Sequence, residues 1–438
     1  MDRTPSFVSR RNLLKHTAVA AGAVSLGGVA AAQGAPAAGA NLASTTGSDR
    51  IRIGLIGCGG RGTGAVRDCV KSSPGVEVTA LADVYKPRVD GAFKALQGLK
   101  EAFQVKEDAC FSGLDCHKKL LESKVDMVLL CTPPGFRPMH FRAALEAGKH
   151  VFMEKPVAVD PTGARDVIDA AKIATEKKLG VGAGTCRRRQ QNIVETVNHI
   201  RDGMIGEIVG GNLYYLTGPV WVRPEVKDVT EFEWQCYNWY AWDWLSGDHI
   251  VEQHVHEIDL LHWVMKSPPE KILAMGGRAT RPNTKEQGNI FDHFSVEFEW
   301  PNQVRVHSVC RQSPKCAHRV NAVITGTKGQ ADCYTGVIRD LKGETIFASK
   351  ATGLGPAYVQ EHADLITSIR AGKPINEAEQ VALSSLMAVG GRMSAYTGQE
   401  LSWKWLMNGS KLSIFPKDPK PGPGIFPPVA VPGTTKLV

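Results

Sequence analysis
The chain has 438 residues, 43% hydrophobic and 22% charged, which excludes a mostly disordered protein and allows two or three domains with cores of their own. Outside the N-terminus no apolar run reaches the ~18 residues that span a bilayer. The formal charge is +8, and Arg3, Arg10, Arg11 and Lys15 against Asp2 place three of those charges in the first 32 residues. No dense Lys/Arg stripe remains, so nucleic acid is not an expected partner. The ten cysteines form no CxxC pair, so neither a zinc ribbon nor a thioredoxin-type site is signalled.

Residues 1–32 read as a signal peptide. Ser9-Arg10-Arg11-Asn12-Leu13-Leu14-Lys15 precedes an Ala/Gly-rich apolar stretch from Thr17 to Ala32, and Ala30-Ala31-Ala32 offers small residues for cleavage. The paired arginines predict export by the twin-arginine route, to the periplasm or beyond. The first cysteine is Cys58, so no lipid anchor at the cleavage site is expected. Residues 33–49, rich in Ala, Gly, Ser and Thr, read as a flexible linker.

Residues 50–178 read as alternating strands and helices. Ile51 to Ile56 is a short apolar strand, and a helical stretch from Thr63 to about Lys71 follows. Strands are expected at Val76 to Ala82, Val125 to Cys131 and His150 to Met153, with a helix from Phe136 to Ala147. This alternation predicts an α/β domain, a doubly wound parallel sheet. Between first strand and helix stands Gly57-Cys58-Gly59-Gly60-Arg61-Gly62, and Asp83 follows 21 residues beyond Gly62 at the end of the next strand. A G-x-G-x-x-G in that setting is a dinucleotide loop. Gly57 permits the tight turn, Gly59 lets backbone approach a pyrophosphate, and Gly62 lets helix and strand pack closely. The helix N-terminus offers free N–H groups to phosphate. Asp83 would bind the adenosine ribose hydroxyls and repel a 2′-phosphate, which favours NAD over NADP, although Arg61 is a cation able to offset that repulsion.

The second landmark is Ala147-Gly148-Lys149-His150-Val151-Phe152-Met153-Glu154-Lys155-Pro156, a strand that ends in Glu-Lys-Pro at the ligand-binding edge of such a sheet. Together with the glycine loop, its acid and Thr132-Pro133-Pro134, it resembles the glucose–fructose oxidoreductase / inositol dehydrogenase (Gfo/Idh/MocA) family, from about Arg50 to Trp403. The resemblance implies that Lys155 lies beside the nicotinamide and the substrate hydroxyl. It also implies that Thr132, Pro133, Pro134, His140 and Glu154 line the cofactor cleft, and that subunits pair as dimers or tetramers.

Residues 179–413 read as a second, α+β domain that opens with a strand from Leu179 to Ala183. Thr185-Cys186-Arg187-Arg188-Arg189 follows at the expected interdomain seam. The family often has a basic pair here, and Arg188 is the expected substrate contact. Ile208 to Leu216, Phe294 to Trp300, Val304 to Cys310 and Val320 to Thr325 read as strands of an open, mostly antiparallel sheet. Two helices end the domain, Tyr358 to Ala371 and a second running to about Tyr396, with Asn376 and Glu379 as a capping-box-like start. Residues 414–438 hold seven of the 25 prolines and read as an extended tail.

The third landmark is Trp239-Tyr240-Ala241-Trp242-Asp243-Trp244-Leu245-Ser246-Gly247-Asp248-His249, followed by Ile250-Val251-Glu252-Gln253-His254-Val255-His256-Glu257-Ile258-Asp259. Aromatics beside polar groups suit a sugar, and Trp244 is the expected stacking residue. On a helix, Glu252, His256 and Asp259 share one face. The family pattern is an acid, a histidine four on and an acid three further; here Glu252 replaces the usual aspartate. Extended chain would instead put Glu252, His254 and His256 together as metal ligands. Buried, hydrogen-bonded structural groups are the third alternative.

The expected chemistry is oxidation of a carbohydrate or cyclitol hydroxyl. His256 is the general base, Lys155 stabilises the oxygen, and Asp259 or Glu252 orients the imidazole. No metal is expected. Export implies a tightly held cofactor, because free NAD is scarce outside the cytoplasm. A held cofactor implies either a closed cycle between two sugars or a redox-assisted glycosidase. Exported glycosidases of N-acetylgalactosamine share the Gly-Cys-Gly-Gly-Arg-Gly loop. A sugar-binding protein with structural NAD is the non-catalytic alternative.

Overall fold
The computed structural model describes residues 50–351 and 353–438. The signal peptide and linker expected over 1–49 lie outside the described residues. Six strands form the first sheet: β1 (Ile51–Ile56), β2 (Val76–Asp83), β3 (Cys110–Ser112), β4 (Met127–Leu130), β5 (His150–Met153) and β6 (Val181–Ala183). Their order is β3-β2-β1-β4-β5-β6, and every pairing is parallel. Such a sheet is covered on both faces, which is why β1, β4 and β5 are near-continuous apolar runs. The covering helices are α1 (Gly60–Ser72), α2 (Lys86–Leu96), α3 (Cys116–Glu122), α4 (Arg137–Glu146) and α5 (Pro161–Glu176).

β6 corrects the expected boundary at 178/179. It is the outer strand of the first sheet, paired with β5, and Val181 also bridges to Asn376 far along the chain.

The second sheet has nine strands: β7 (Ile208–Thr217), β8 (Lys271–Gly277), β9 (His293–Glu299), β10 (Arg305–Gln312), β11 (Arg319–Gly326), β12 (Gly329–Asp332), β13 (Val337–Asp340), β14 (Thr345–Ala348) and β15 (Leu401–Ser402). Their order is β14-β13-β12-β11-β7-β10-β9-β8-β15, antiparallel except for β7 beside β10. Alternation of β9 into buried Phe294, Val296 and Phe298 gives the sheet one packed face. The helices of this half are α6 (Gln191–Arg201), α7 (Glu231–Tyr237), α8 (Asp243–Ser246), α9 (His249–Glu252), α10 (Val255–Met265), α11 (Gly355–Arg370), α12 (Ala378–Thr397) and α13 (Trp403–Asn408).

The two halves interlock. Leu365 and Ile366 of α11 join the core of the first sheet, and Ala378, Val381 and Ala382 of α12 join the core on its other face. The expected capping box at Asn376 and Glu379 does not form. Asn376 accepts from the Ala378 N–H at 3.2 Å and its amide donates to the Ala171 carbonyl at 2.9 Å, so its side chain fastens α12 to α5. A capping box does form at Thr230 and Glu233, at the start of α7. Beyond α13 the chain runs without regular structure over an aromatic cluster made of Phe136 and residues 232–245. Phe415 meets Phe136 at 4.9 Å, and Phe426 meets Trp242 at 5.4 Å. Among the described residues no helix is long and apolar enough to cross a membrane.

Candidate active site
The strand order reverses between β1 and β4, and their carboxyl ends open there, as ligand clefts in this architecture do. Gly57 sits at φ +101°, and a Cβ on it would lie 2.5 Å from the Cys131 carbonyl carbon. A Cβ on Gly62 would lie 2.0 Å from the Gly57 oxygen. The protein itself therefore demands both glycines. Gly59 is different: its Cβ would meet only the Arg88 guanidinium at 3.5 Å, and Gly60 has nothing within 4 Å. Open space at those two residues, over the N–H groups of a helix with no side-chain cap and no acid in its first turn, fits a phosphate-bearing cofactor. Cys58, in the same loop, is buried, and its N–H donates to Asp83 at 2.7 Å.

Asp83 also accepts from the Tyr85 N–H at 2.9 Å. Burial pushes its carboxyl upward, against these two hydrogen bonds. A carboxylate has about four acceptor directions, so capacity for ribose hydroxyls remains. Arg61 turns away from Asp83. It pairs with Glu154 at 2.5 Å, and its guanidinium lies 4.7 Å above the Tyr358 ring.

A cleft of about 280 Å³ lies between these elements and the second domain. Arg61, Thr132, Pro134, Glu154 and Lys155 line it from the first domain, and Tyr215, Trp239, Glu252, Gln253 and His256 from the second. The Lys155 ammonium donates to the Glu252 backbone carbonyl and, at 3.1 Å, to its carboxylate. An ammonium carries three donors, so one remains for a substrate oxygen. His256 faces the cleft, and burial together with the charge of Lys155 holds its pKa well below the ordinary value. The neutral imidazole is the form that accepts a proton.

Four expected site residues lie elsewhere. Trp244 is 1% exposed, packed between Phe232 and Phe415, because the single turn of α8 closes on Gly247 at φ +78° and sends the indole inward. Trp239 takes its place at the cleft. Arg188 and Asp259 hold each other in a bidentate pair at 2.9 and 3.0 Å, and Ser384 donates a further bond to Asp259. Neither lines the cleft. The structure thus places Arg188, the expected substrate contact, and Asp259, an expected partner of His256, in a pair that braces the scaffold, with the Asp259 carboxylate taken up by Arg188 and Ser384. His140 is buried behind the wall, 3.4 Å from the Thr132 hydroxyl, so it supports that threonine from behind. Pro133 lies in the same turn, and its carbonyl accepts from Phe136.

The single helical face expected through Glu252, His256 and Asp259 is interrupted, because α9 ends at Glu252 and α10 begins at Val255. The break assigns Glu252 to Lys155 and leaves the imidazole to the cleft. It also separates the metal-ligand alternative: His254 points away, 2.6 Å from the Ser308 hydroxyl and 3.3 Å from Glu257.

Sequence reasoning missed Tyr215, Tyr358, Gln253 and Arg137. Arg137 is 2% exposed and donates to the carbonyls of Thr132, Glu154 and Pro156, joining both cofactor-side loops. Burial lowers its pKa to about 10. The signal available was Arg137 inside an otherwise apolar helix start.

A Rossmann domain that carries an uncapped glycine loop and a cleft lysine, facing a neutral histidine across that cleft, defines a nucleotide-dependent two-domain protein. Residues 51–183 match the oxidoreductase family model of the NAD-binding Rossmann fold, and residues 194–332 match the GFO/IDH/MocA C-terminal domain. Together they cover more than half of the chain, which belongs to the Gfo/Idh/MocA family. A glycosyl hydrolase family 109 protein of Shewanella sp. (strain ANA-3) is 30% identical over 231 residues, 50% of this chain and 49% of that protein. An inositol 2-dehydrogenase of Salmonella paratyphi B is 25% identical over 291 residues, covering 65% and 74%. The chain spans about half the length of the glycosyl hydrolase relatives it matches. The crystal structure of scyllo-inositol dehydrogenase from Lactobacillus casei with bound NAD(H) and scyllo-inositol shares the fold, with TM-score 0.61 at 18% identity, over 81% of this chain and 99% of that one.

Proposed function
We propose that this protein is an exported, NAD-dependent oxidoreductase acting on a hydroxyl of a sugar or cyclitol, with the cofactor tightly held. The observation that carries this reading is Lys155 and neutral His256 on opposite walls of one cleft beside the open glycine loop. Gly59, Gly60 and the N-terminus of α1 would hold the pyrophosphate, and Asp83 the ribose. When bound, a nicotinamide would supply reversible hydride-transfer chemistry. His256 takes the hydroxyl proton as the carbinol carbon is oxidised. Lys155 donates to the same oxygen and stabilises its charge, while Glu252 fixes the ammonium in place. The engagement of Arg61 with Glu154 supports NAD over NADP; Arg88 is a cation near Asp83, with its guanidinium 5.1 Å from the Tyr237 ring centre.

Export rests on Arg10, Arg11 and the apolar stretch after them. Tight retention is supported by the aromatic arm around α7, where Tyr237 lies 5.4 Å from Tyr85, just beyond Asp83. A homo-oligomer through the outer sheet face is supported by Leu273 and Met275, exposed on β8.

The second reading is a redox-neutral glycosidase, in which oxidation is transient and the glycoside leaves by elimination. The similarity to glycosyl hydrolase family 109 proteins favours it. The decisive experiment denatures the purified protein and identifies released nucleotide by mass, then follows the native protein at 340 nm with sugars and aryl glycosides. Near one NAD per chain with p-nitrophenol release and no net NADH supports the glycosidase. Absorbance change without p-nitrophenol supports the oxidoreductase. No nucleotide and no turnover even with added NAD overturns both and leaves a binding protein.

A further inference from the structure
The cleft of about 280 Å³ lies at the lower end of the roughly 300–1,000 Å³ of sites that enclose drug-sized ligands. It has to hold a nicotinamide and a reacting ring together. A second unit attached to that ring would extend towards the rim.

One stretch of rim is built of aromatics. Trp239 lines the cleft, and Trp221 meets it edge-on at 5.9 Å. Trp221 also meets Tyr240 at 6.1 Å, yet it is 41% exposed. It sits on a segment without regular structure that is pinned just after Trp221 by α7 and its C-terminal residue. The Trp234 indole N–H donates to the Pro224 carbonyl at 2.9 Å, and the Arg223 N–H donates to Asn238 at 2.9 Å. The Arg223 guanidinium lies 4.5 Å from the Trp221 ring centre and 4.7 Å from that of Tyr237, and its buried Nε has no hydrogen-bond partner. Tyr240 connects the rim to the cleft. Its hydroxyl accepts from Gln312 at 2.8 Å, and the same Gln312 amide donates to Gln253 at 2.9 Å.

An exposed indole on a fixed loop, beside a guanidinium with donor capacity, is chemistry that recognises a ring with an apolar face and hydroxyls on its edge. We propose that Trp221, with Trp239 and Arg223, forms a subsite for the second ring of a glycoside, so that the substrate is a glycoside and not a free monosaccharide or cyclitol. This rests on the reading of the cleft as a carbohydrate site.

The test is calorimetric titration of the full-length, NAD-loaded protein with glucose, galactose and N-acetylgalactosamine, each against its α- and β-p-nitrophenyl glycosides. A glycoside should bind about three- to tenfold more tightly than its parent sugar, the range of one aromatic stacking contact. Trp221→Ala should remove that gain and weaken the glycoside several-fold more than the parent sugar, whereas Trp221→Phe should keep most of it. Parent sugars that bind with no gain from the aglycone, or a gain that survives Trp221→Ala, overturn the subsite while the carbohydrate reading stands. If neither sugars nor glycosides bind the wild-type protein, the carbohydrate reading falls and the subsite with it.

Discussion
On the first-domain side of the cleft, position is set by backbone. Gly57 and Gly62 let strand, loop and helix touch, and Arg137 ties three carbonyls together. On the second-domain side, position is set by side chains: Glu252 holds Lys155, Gln312 on β10 holds Gln253, and His256 faces the cleft. A backbone cradle suits a cofactor shared by many proteins, because it reads phosphate and ribose, whatever the substrate. A side-chain wall can change one residue at a time, so substrate choice belongs there. The difference predicts that mutations in the backbone cradle act on folding or on cofactor retention, while those at side chains facing the cleft act on turnover.

The largest expected effect is Gly62→Ala, whose new Cβ would lie 2.0 Å from backbone oxygen. It should lower stability by about 3 kcal/mol or more in denaturant titration. Gly59→Ala sharpens the contrast, since stability should stay within about 0.5 kcal/mol while retained nucleotide falls. Equal damage from the two variants would sink the cradle assignment. Next, Lys155→Met should lower single-turnover hydride transfer by about a hundredfold or more, the low end for groups of this kind. Unchanged transfer would remove Lys155 from the chemistry. Asp259→Asn should do the opposite: about 1–2 kcal/mol of stability lost as the Arg188 pair weakens, with kcat/KM falling less than tenfold. A hundredfold fall with normal stability would return Asp259 to the catalytic set.

The smallest effect is with pH. Neutral His256 should keep the acid limb of kcat/KM below pH 6.5, its ordinary pKa. Buried His262, lowered to about 4, makes the unfolded chain bind the extra proton as pH falls from 6.5 towards 4. Stability should therefore be complete above 6.5 and decline below it, with Tm falling by about 2–3 °C by pH 5 in calorimetry. A flat Tm profile would contradict this.

Local sequence determined the first sheet. Strand runs, glycine loop and Asp83 were legible because backbone turns and two-sided burial leave marks in residue type and spacing. That Lys155 and His256 share one cleft was legible because their chemistry is scarce and the motifs around them are specific. The roles of Arg188, Asp259, Trp244 and His140 were not. A charged or aromatic residue carries the same letter whether it faces ligand or partner, and only the packing of α10 against Arg188 and of α8 against Phe232 and Phe415 decided that. The same holds for β6, whose three residues join whichever sheet the rest of the chain places beside them. Nor does spacing reveal that a helix face breaks between Glu252 and Val255, since that break serves contacts with Lys155 and Ser308 about 100 and 50 residues away. Tertiary structure alone set those contacts, because their energy comes from groups that are neighbours in space and strangers in sequence.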